Sequence, residues 1–375
     1  MKRVGILGAG QLGRMMALAG YPLALEFVFY DTSGSPSANI GKIYSDPHNE
    51  QQELMDFLNE VDVVTYEFEH LPIDLAKKVA DRKPLFPSVQ ALAICQNREL
   101  EKNLFVSMGI PVSPFRIVND QSQLRHAAKQ LGMPVVAKSL TQGYDGKGQA
   151  VISSAGECDQ AWEQINHSRL IVESFVRFNR ELSLVATRNS KGETAMYPLV
   201  ENNHQHGILR YTLAPAPAVS PEIQHQAESY LAKIMSHLNY VGVLTIELFE
   251  TDDGLLANEM APRVHNSGHW SMDGAHTGQF ENHLRAILDL PLGETTPHGV
   301  SAMVNLVGQH ADTAGVLSLT DTHLHHYGKT ERPNRKVGHI NINANHYDAL
   351  TEKLIRCLQH VPGHYPLDCS LSPLK

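Results

Sequence analysis

The chain is poor in cysteine. Its four cysteines (Cys95, Cys158, Cys357 and Cys369) form no CxxC pair, so neither a disulfide framework nor a thiolate zinc cluster is expected. Positive charge is also in deficit: 31 Lys and Arg stand against 40 Asp and Glu, a formal charge of −9. A surface of that sign releases few counterions from a polyanion, which argues against a nucleic-acid partner. It leaves room for a small basic pocket that takes one phosphorylated metabolite. No apolar run approaches the ~20 residues that cross a bilayer, so no membrane partner is expected. MKRVGILGAG runs straight into a strand and a glycine loop without the apolar core and cleavage region of a signal peptide, and a cytoplasmic location is expected. GxxxxGK[ST] and HExxH are both missing. Their absence excludes the ordinary P-loop and leaves the 21 histidines without a zinc-protease pattern.

The composition that remains is globular, 42% hydrophobic and 19% charged, and 375 residues are enough for two or three domains. Strand and helix patterns alternate through the first hundred residues: strands Val4–Leu7, Glu26–Asp31 and Val61–Phe68, with helices after Gly13, at Glu50–Leu58, after Pro72, and from Ser88 to Met108. That alternation predicts parallel βαβ units, a Rossmann-like α/β domain over residues 1–110. GIPVSP reads as a linker. A compact α+β unit with a central hairpin follows over 111–178. A strand-rich α+β part, 179–375, closes the chain, with a small tail subdomain from about 296.

Four segments carry chemistry. GAGQLG (Gly8–Gly13) matches GxGxxG between a strand and a helix, and Asp31 ends the next strand where a ribose-binding acid would sit. Alone this favours a dinucleotide; a tight strand-to-helix turn needs the same glycines. GYDGKG (Gly143–Gly148) joins two apolar strands; its glycines let backbone N–H groups approach phosphate oxygens, and Lys147 adds charge. Lys138 in the preceding strand PVVAKS calls for an anionic partner, unless it lies on an exposed edge. VLTIELFE, DDG and LLANEMAP form a predicted hairpin. A three-residue DDG turn pairs Thr251 with Leu255 and therefore Glu247 with Glu259. Two facing carboxylates need a proton or cation between them. Oxygen ligands without a histidine pattern suit Mg²⁺, and Asn258 can add another oxygen. PRVHNSGHW then sets Arg263, His265, Asn266, Ser267 and His269 together as a candidate substrate wall, or a polar turn. Near the end, Lys329, Arg332, Arg335 and Lys336 form a local basic cluster, a phosphate site or a solvated loop.

Taken in order, GAGQLGRM, TYEFEH, GYDGKGQ, ESFV with Glu181, NEMAPRVHNSGHW and HHYGK…RKVGH resemble the 5-(carboxyamino)imidazole ribonucleotide synthase family of bacterial and fungal purine synthesis. The resemblance spans nearly the whole chain. It implies an ATP-grasp fold with a Rossmann-like pre-ATP-grasp domain, and an ADP-forming ligase that joins ATP, bicarbonate and aminoimidazole ribonucleotide through carboxyphosphate. It implies ATP and Mg²⁺, with Mn²⁺ able to replace it, and a homodimer. Residue by residue, Arg98, Lys138 and the loop Gly143, Tyr144, Asp145, Gly146, Lys147, Gly148 and Gln149 would hold ATP phosphates. Glu173, Ser174, Phe175 and Val176 would bind the adenine edge, with Glu181 and His204 near the nucleotide. Glu247 and Glu259 would carry the metal, with Asn258 beside them. Gln11, Glu67, Tyr144, Arg263, His265, Asn266, Ser267, Lys329 and Arg335 would line the ribonucleotide and bicarbonate side. Arg263 would hold bicarbonate or carboxyphosphate, and Asp145 and His265 are both candidates for the amine proton. The rival readings are another ATP-grasp ligase (a formate-dependent glycinamide ribonucleotide transformylase or a biotin carboxylase), an NAD(P) dehydrogenase, and a non-catalytic ATP sensor.

Overall fold

The structure is a computed structural model and describes residues 2–34, 36–141, 148–165, 169–363 and 365. Among these residues the chain forms three β-sheets. The first contains β1 (Arg3–Leu7), β2 (Glu26–Tyr30), β3 (Lys42–Tyr44) and β4 (Val63–Tyr66), all parallel, in the order β3-β2-β1-β4. α1 (Gln11–Gly20) and α2 (Glu50–Glu60) lie on its connections, and α3 (Ile73–Ala80), α4 (Val89–Cys95) and α5 (Arg98–Ser107) follow. Strands covered on both faces read as continuous apolar runs, which explains FVFY and VVTY. The expected strand Val61–Phe68 is shorter because its partner β1 ends at Leu7, where the chain turns into α1. The expected single helix Ser88–Met108 is two helices. Asn97 is extended and its side chain caps the N–H groups of Glu99 and Leu100, so a new helix starts there.

The second sheet is antiparallel, in the order β5-β8-β6-β7: β5 (Phe115–Val118), β6 (Val135–Ser139), β7 (Gln149–Ile152) and β8 (Leu170–Ser174). α6 (Gln121–Leu131) and α7 (Cys158–Gln164) supply its own core, with Leu124, Trp162 and Val172 buried together.

The third sheet has nine strands: β9 (Arg180–Arg188), β10 (Thr194–Met196), β11 (Val200–Gln205), β12 (Ile208–Ala214), β13 (Gly242–Thr251), β14 (Gly254–Ala261), β15 (Val300–Val307), β16 (Thr322–His326) and β17 (Lys336–Ala344). Helices α8 (Pro221–His237), α9 (Ser271–Gly274), α10 (Gln279–Ile287), α11 (Thr313–Leu317) and α12 (Tyr347–Leu358) connect or cover it. Packing of α1 against α10 joins the parallel sheet to this one, through a shared core that includes Phe27, Trp270, Phe280 and Leu284. The approach is close: a Cβ on Gly20 would stand 2.3 Å from the Phe27 ring and 2.9 Å from Leu284.

The β13–β14 hairpin corrects one expectation and keeps its consequence. Thr251 pairs with Gly254, not Leu255, so the loop is the two residues Asp252 and Asp253. The extra residue lies farther in. Leu248 pairs with Ala257 and Glu247 with Glu259, which leaves Asn258 as a bulge.

Candidate active site

A cleft is lined by Glu247 and Glu259 from the third sheet, Glu69 and Leu140 from the segments after β4 and β6, Arg98 from α5 and Arg263 from the segment after β14. Glu247 and Glu259 face each other across the hairpin. The bulge places Asn258 beside Glu259, and Asn258 Oδ1 is buried without a hydrogen-bond partner. An orphaned buried oxygen next to two carboxylates is a donor set that fits a hard divalent cation. Each carboxylate also has a cationic or imidazole neighbour: Arg98 Nη1 donates to Glu259 at 2.9 Å, and His265 Nε2 lies 3.2 Å from Glu247. Burial pushes the Glu247 carboxyl up, but the hydrogen bond from His265 and the charges of His204 and Arg263 outweigh it, so its pKa falls below the usual carboxylate range.

α5 supplies more than Arg98. Glu101 is buried and accepts the Met260 N–H at 2.7 Å; burial and the nearby Glu259 raise its pKa. Lys102 is buried as well and donates to the Ala257 carbonyl at 3.2 Å. The sequence reading missed both. Their signal was helical spacing: Arg98, Lys102 and Phe105 share one face, and Phe105 is core.

Across the cleft, Lys138 on β6 donates to Glu173 on β8 at 3.1 Å. Glu173 is 4% exposed. The Ser174 N–H and C=O are taken by the Pro114 carbonyl and the Ser113 hydroxyl. Phe175 is exposed and Val176 half-buried at the end of the strand. Gln149 starts β7 and pairs with Lys138, and Gly148 just before it uses a φ of 69°. Gly143, Tyr144, Asp145, Gly146 and Lys147 lie outside the described residues. On the nine-stranded sheet, His204 Nδ1 lies 3.1 Å from Glu181. Burial opposes charge on His204, but Glu181 outweighs it and raises its pKa.

The wall after the hairpin is tightly organised. Arg263 makes a two-pronged ion pair with Glu69, from the loop after β4, with Nη2 at 2.8 Å from Oε1. Burial pushes Glu69 up, but Arg263 outweighs it and holds that carboxyl at about 2. Glu69 lay unremarked within TYEFEH; no local pattern distinguishes it from Glu67. His265 Nδ1 is 2.8 Å from Ser267 Oγ and accepts the Ser267 N–H, which assigns the ring proton to Nε2, facing Glu247. Gln279 clamps the His265 backbone through both its N–H and its C=O. Asn266 exchanges amide hydrogen bonds with Asn305. His269 is different: it is 1% exposed, burial holds it neutral, and it packs on Phe280 and His339 away from the cleft.

The glycine turn completes the far end. Glu67 accepts the N–H groups of Gly10 and Gly13, so the N-terminus of α1 is already filled by an internal carboxylate. Asp31 accepts the Ala9 N–H at 2.7 Å and the Ser33 N–H at 2.8 Å. The two positions a dinucleotide would use for pyrophosphate and ribose are thus spent on the turn itself. Lys329 reaches this end and donates to Gln11 Oε1. Burial lowers the Lys329 pKa; Glu67 opposes the fall, and Arg335, Lys336 and Arg332 add to it. Arg335 itself donates to Thr330 within its own loop. The structure therefore brings Gln11, Glu67 and Lys329 together at one end. It sets Arg263 and His265 in the middle, and Arg98, Lys138, Glu173, Glu247 and Glu259 at the other.

Comparison with known proteins accounts for this arrangement. Three family models match in chain order: the ribonucleotide synthetase preATP-grasp domain over residues 1–96, the ATP-grasp domain over 103–280, and the phosphoribosylaminoimidazole carboxylase C-terminal domain over 301–353. The N5-carboxyaminoimidazole ribonucleotide synthase of Pseudomonas aeruginosa is 44% identical over 341 residues, covering 91% of this chain and 94% of that one. The crystal structure of the Thermus thermophilus synthetase of that name superposes with a TM-score of 0.93 at 46% identity, over 97% of this chain and 100% of the other. The Aspergillus clavatus enzyme in complex with ADP and 5-aminoimidazole ribonucleotide is 30% identical, with a TM-score of 0.87 over 96% and 98% of the two chains. This chain belongs to the N5-carboxyaminoimidazole ribonucleotide synthase family of ATP-grasp ligases.

Proposed function

We propose that the chain joins bicarbonate to the exocyclic amine of 5-aminoimidazole ribonucleotide, with ATP converted to ADP and phosphate, in purine biosynthesis. The observation that carries this reading is a cleft in which paired carboxylates, a lysine–glutamate pair and an arginine–histidine wall follow one another. A bicarbonate oxygen attacks the γ-phosphorus and ADP leaves, giving carboxyphosphate. The amine nitrogen then attacks the carboxyl carbon, the C–O bond to phosphate breaks, and the nitrogen loses a proton.

Lys138 and Lys147 offset charge on the transferring phosphoryl group, and Arg98 orients Glu259. Glu247, Glu259 and Asn258 would hold Mg²⁺, or Mn²⁺ in its place, which neutralises phosphate charge when bound. Glu69 fixes the guanidinium plane of Arg263, so that its remaining edge meets bicarbonate without reorganisation. Both ring nitrogens of His265 are engaged, by Ser267 and Glu247, which supports a charge-holding role and leaves Asp145 as the stronger candidate for the amine proton. Lys329 and Arg335 would receive the ribonucleotide phosphate next to Gln11, with Glu67 holding the turn. The loop Gly143–Gly148 would close over the labile intermediate.

The expected homodimer and cytoplasmic location belong to the same reading; sedimentation at micromolar concentration tests the dimer. Among the described residues no helix is long and apolar enough to cross a membrane. The activity test is phosphate release. Release is expected only with 5-aminoimidazole ribonucleotide and bicarbonate both present. Equal release with glycinamide ribonucleotide or biotin would place the chain among other ATP-grasp ligases.

A further inference from the structure

Lys102 stands outside the expected nucleotide residues, yet it sits at the joint between the antiparallel sheet and the hairpin. Its side chain is 2% exposed and lies 3.7 Å from Glu173 Oε2, while its ammonium donates to the Ala257 carbonyl at 3.2 Å. The same Glu173 oxygen accepts from Lys138 at 3.1 Å, and Glu173 Oε1 is buried without a partner. One buried carboxylate therefore serves two ammonium groups, and one of these is the proposed phosphate ligand. Lysine is among the residues least often fully buried, because removing its charge from water is costly. A methionine of similar length would fill the space without that cost, so the charge needs a reason.

We propose that Lys102 is a positioning residue for the nucleotide: it holds the Glu173 carboxylate so that the Lys138 ammonium is released to the ATP phosphates. A carboxylate and a phosphate compete for the same ammonium. If Lys138 were the only cation on Glu173, its move to phosphate would strand a buried carboxylate. Lys102 keeps Glu173 paired before and after that move. The helix geometry supports the role. Arg98 and Lys102 are one turn apart on α5, with Arg98 on Glu259 and Lys102 on Glu173. The Arg98 N–H bonds the Leu140 carbonyl at 2.9 Å, just after β6. One rigid helix thus references the carboxylates on both sides of the cleft.

This inference rests on the reading of Lys138 as a phosphate ligand, and the experiment separates the two. ADP affinity is measured by calorimetry, with kcat and KM, for the full-length wild type and for Lys102→Met, Lys102→Gln, Lys102→Arg, Lys138→Met and the double variant Lys102→Met/Lys138→Met. Lys102→Met is expected to weaken ADP and raise the ATP KM about tenfold, the size of one charge-assisted hydrogen bond. The KM for the ribonucleotide should stay within about twofold. Lys102→Arg, which keeps the charge, should stay near wild type, and the double variant should bind ADP no more weakly than Lys138→Met, because Lys102 acts through Lys138. An unchanged ADP affinity in Lys102→Met, or additive losses in the double variant, overturns the proposal. Normal ADP affinity in Lys138→Met overturns the phosphate reading instead. If Lys102→Met does not fold, Lys102→Gln, which still donates to the Ala257 carbonyl, decides: a loss of about tenfold in ADP affinity supports the proposal, and wild-type affinity refutes it.

Discussion

Glu247 and Glu259 face each other because Asn258 is inserted between them and the hairpin turn. Paired without a bulge, Asn258 would stand opposite Glu247, and Glu259 would move on by one position to the opposite face of the sheet. The bulge therefore keeps the two carboxylates in register, and the Asn258 oxygen within it is buried without a hydrogen-bond partner. Glu259→Gln is expected to lower ATP turnover by about 10²–10³-fold, the loss seen when one charge-stabilising group is removed, with an unchanged melting temperature. Normal phosphate release by that variant would remove the metal assignment.

Deleting Asn258 separates its oxygen from the carboxylate pair. Glu259 then follows Ala257 directly and still stands opposite Glu247 in a regular ladder. Mg²⁺-dependent ADP binding should persist, weakened about tenfold by the lost oxygen, while circular dichroism stays native. Binding equal to wild type would remove Asn258 from the metal site.

Glu67 fills the N-terminus of α1, so Glu67→Ala leaves two N–H groups, the buried one of Gly13 and the part-buried one of Gly10, without an acceptor. The expected destabilisation is about 1–3 kcal/mol per orphaned group, measured by urea unfolding. The KM for the ribonucleotide should rise and that for ATP should not. Tight NADH binding by the wild type, followed by nicotinamide fluorescence, would contradict the view that this turn is spent internally.

His283 gives the acid sensitivity a sign. It is buried between Thr65, at 2.8 Å from Nε2, and the Val243 N–H, which donates to Nδ1 at 3.1 Å. Burial lowers its pKa to about 4 from an ordinary value of 6.5. The unfolded chain then binds the extra proton between these values. Stability from this group is complete above pH 6.5 and is lost as pH falls toward 4, by about 3 kcal/mol over the window. His283→Gln should flatten the pH dependence of the unfolding midpoint in that window. An unchanged slope would assign the sensitivity to other groups.

Arg263 and Glu69 form the pair whose loss should separate chemistry from binding. Glu69→Ala leaves a buried guanidinium uncompensated, an expected destabilisation of about 3–5 kcal/mol. Glu69→Gln keeps one acceptor and should fold, with a lower kcat and little change in the ATP KM. Equal kcat in Glu69→Gln and wild type would show that Arg263 needs no help to hold its place.

Much of this was legible in the residues. The parallel strands are continuous apolar runs, and the glutamate pairing came from counting along a hairpin. That count reached the right pair through the wrong turn, since a bulge at Asn258 and a bulge after the turn shift the register equally. What the sequence could not disclose are partners set by tertiary packing. Glu69 meets Arg263 across 194 positions, and Lys102 on α5 meets Glu173 on β8. The glycine turn is ambiguous by itself, because its motif is the same whether an external phosphate or Glu67 fills the helix end. His269 shared a polar stretch with His265 but turns into the core.

The most direct test of the proposed chemistry follows oxygen. In ¹⁸O-labelled bicarbonate with ATP and 5-aminoimidazole ribonucleotide, each phosphate released should carry one ¹⁸O, because the bridging oxygen of carboxyphosphate leaves with phosphorus. Phosphate without label, formed at the same rate, would mean that water attacks ATP and would contradict the account.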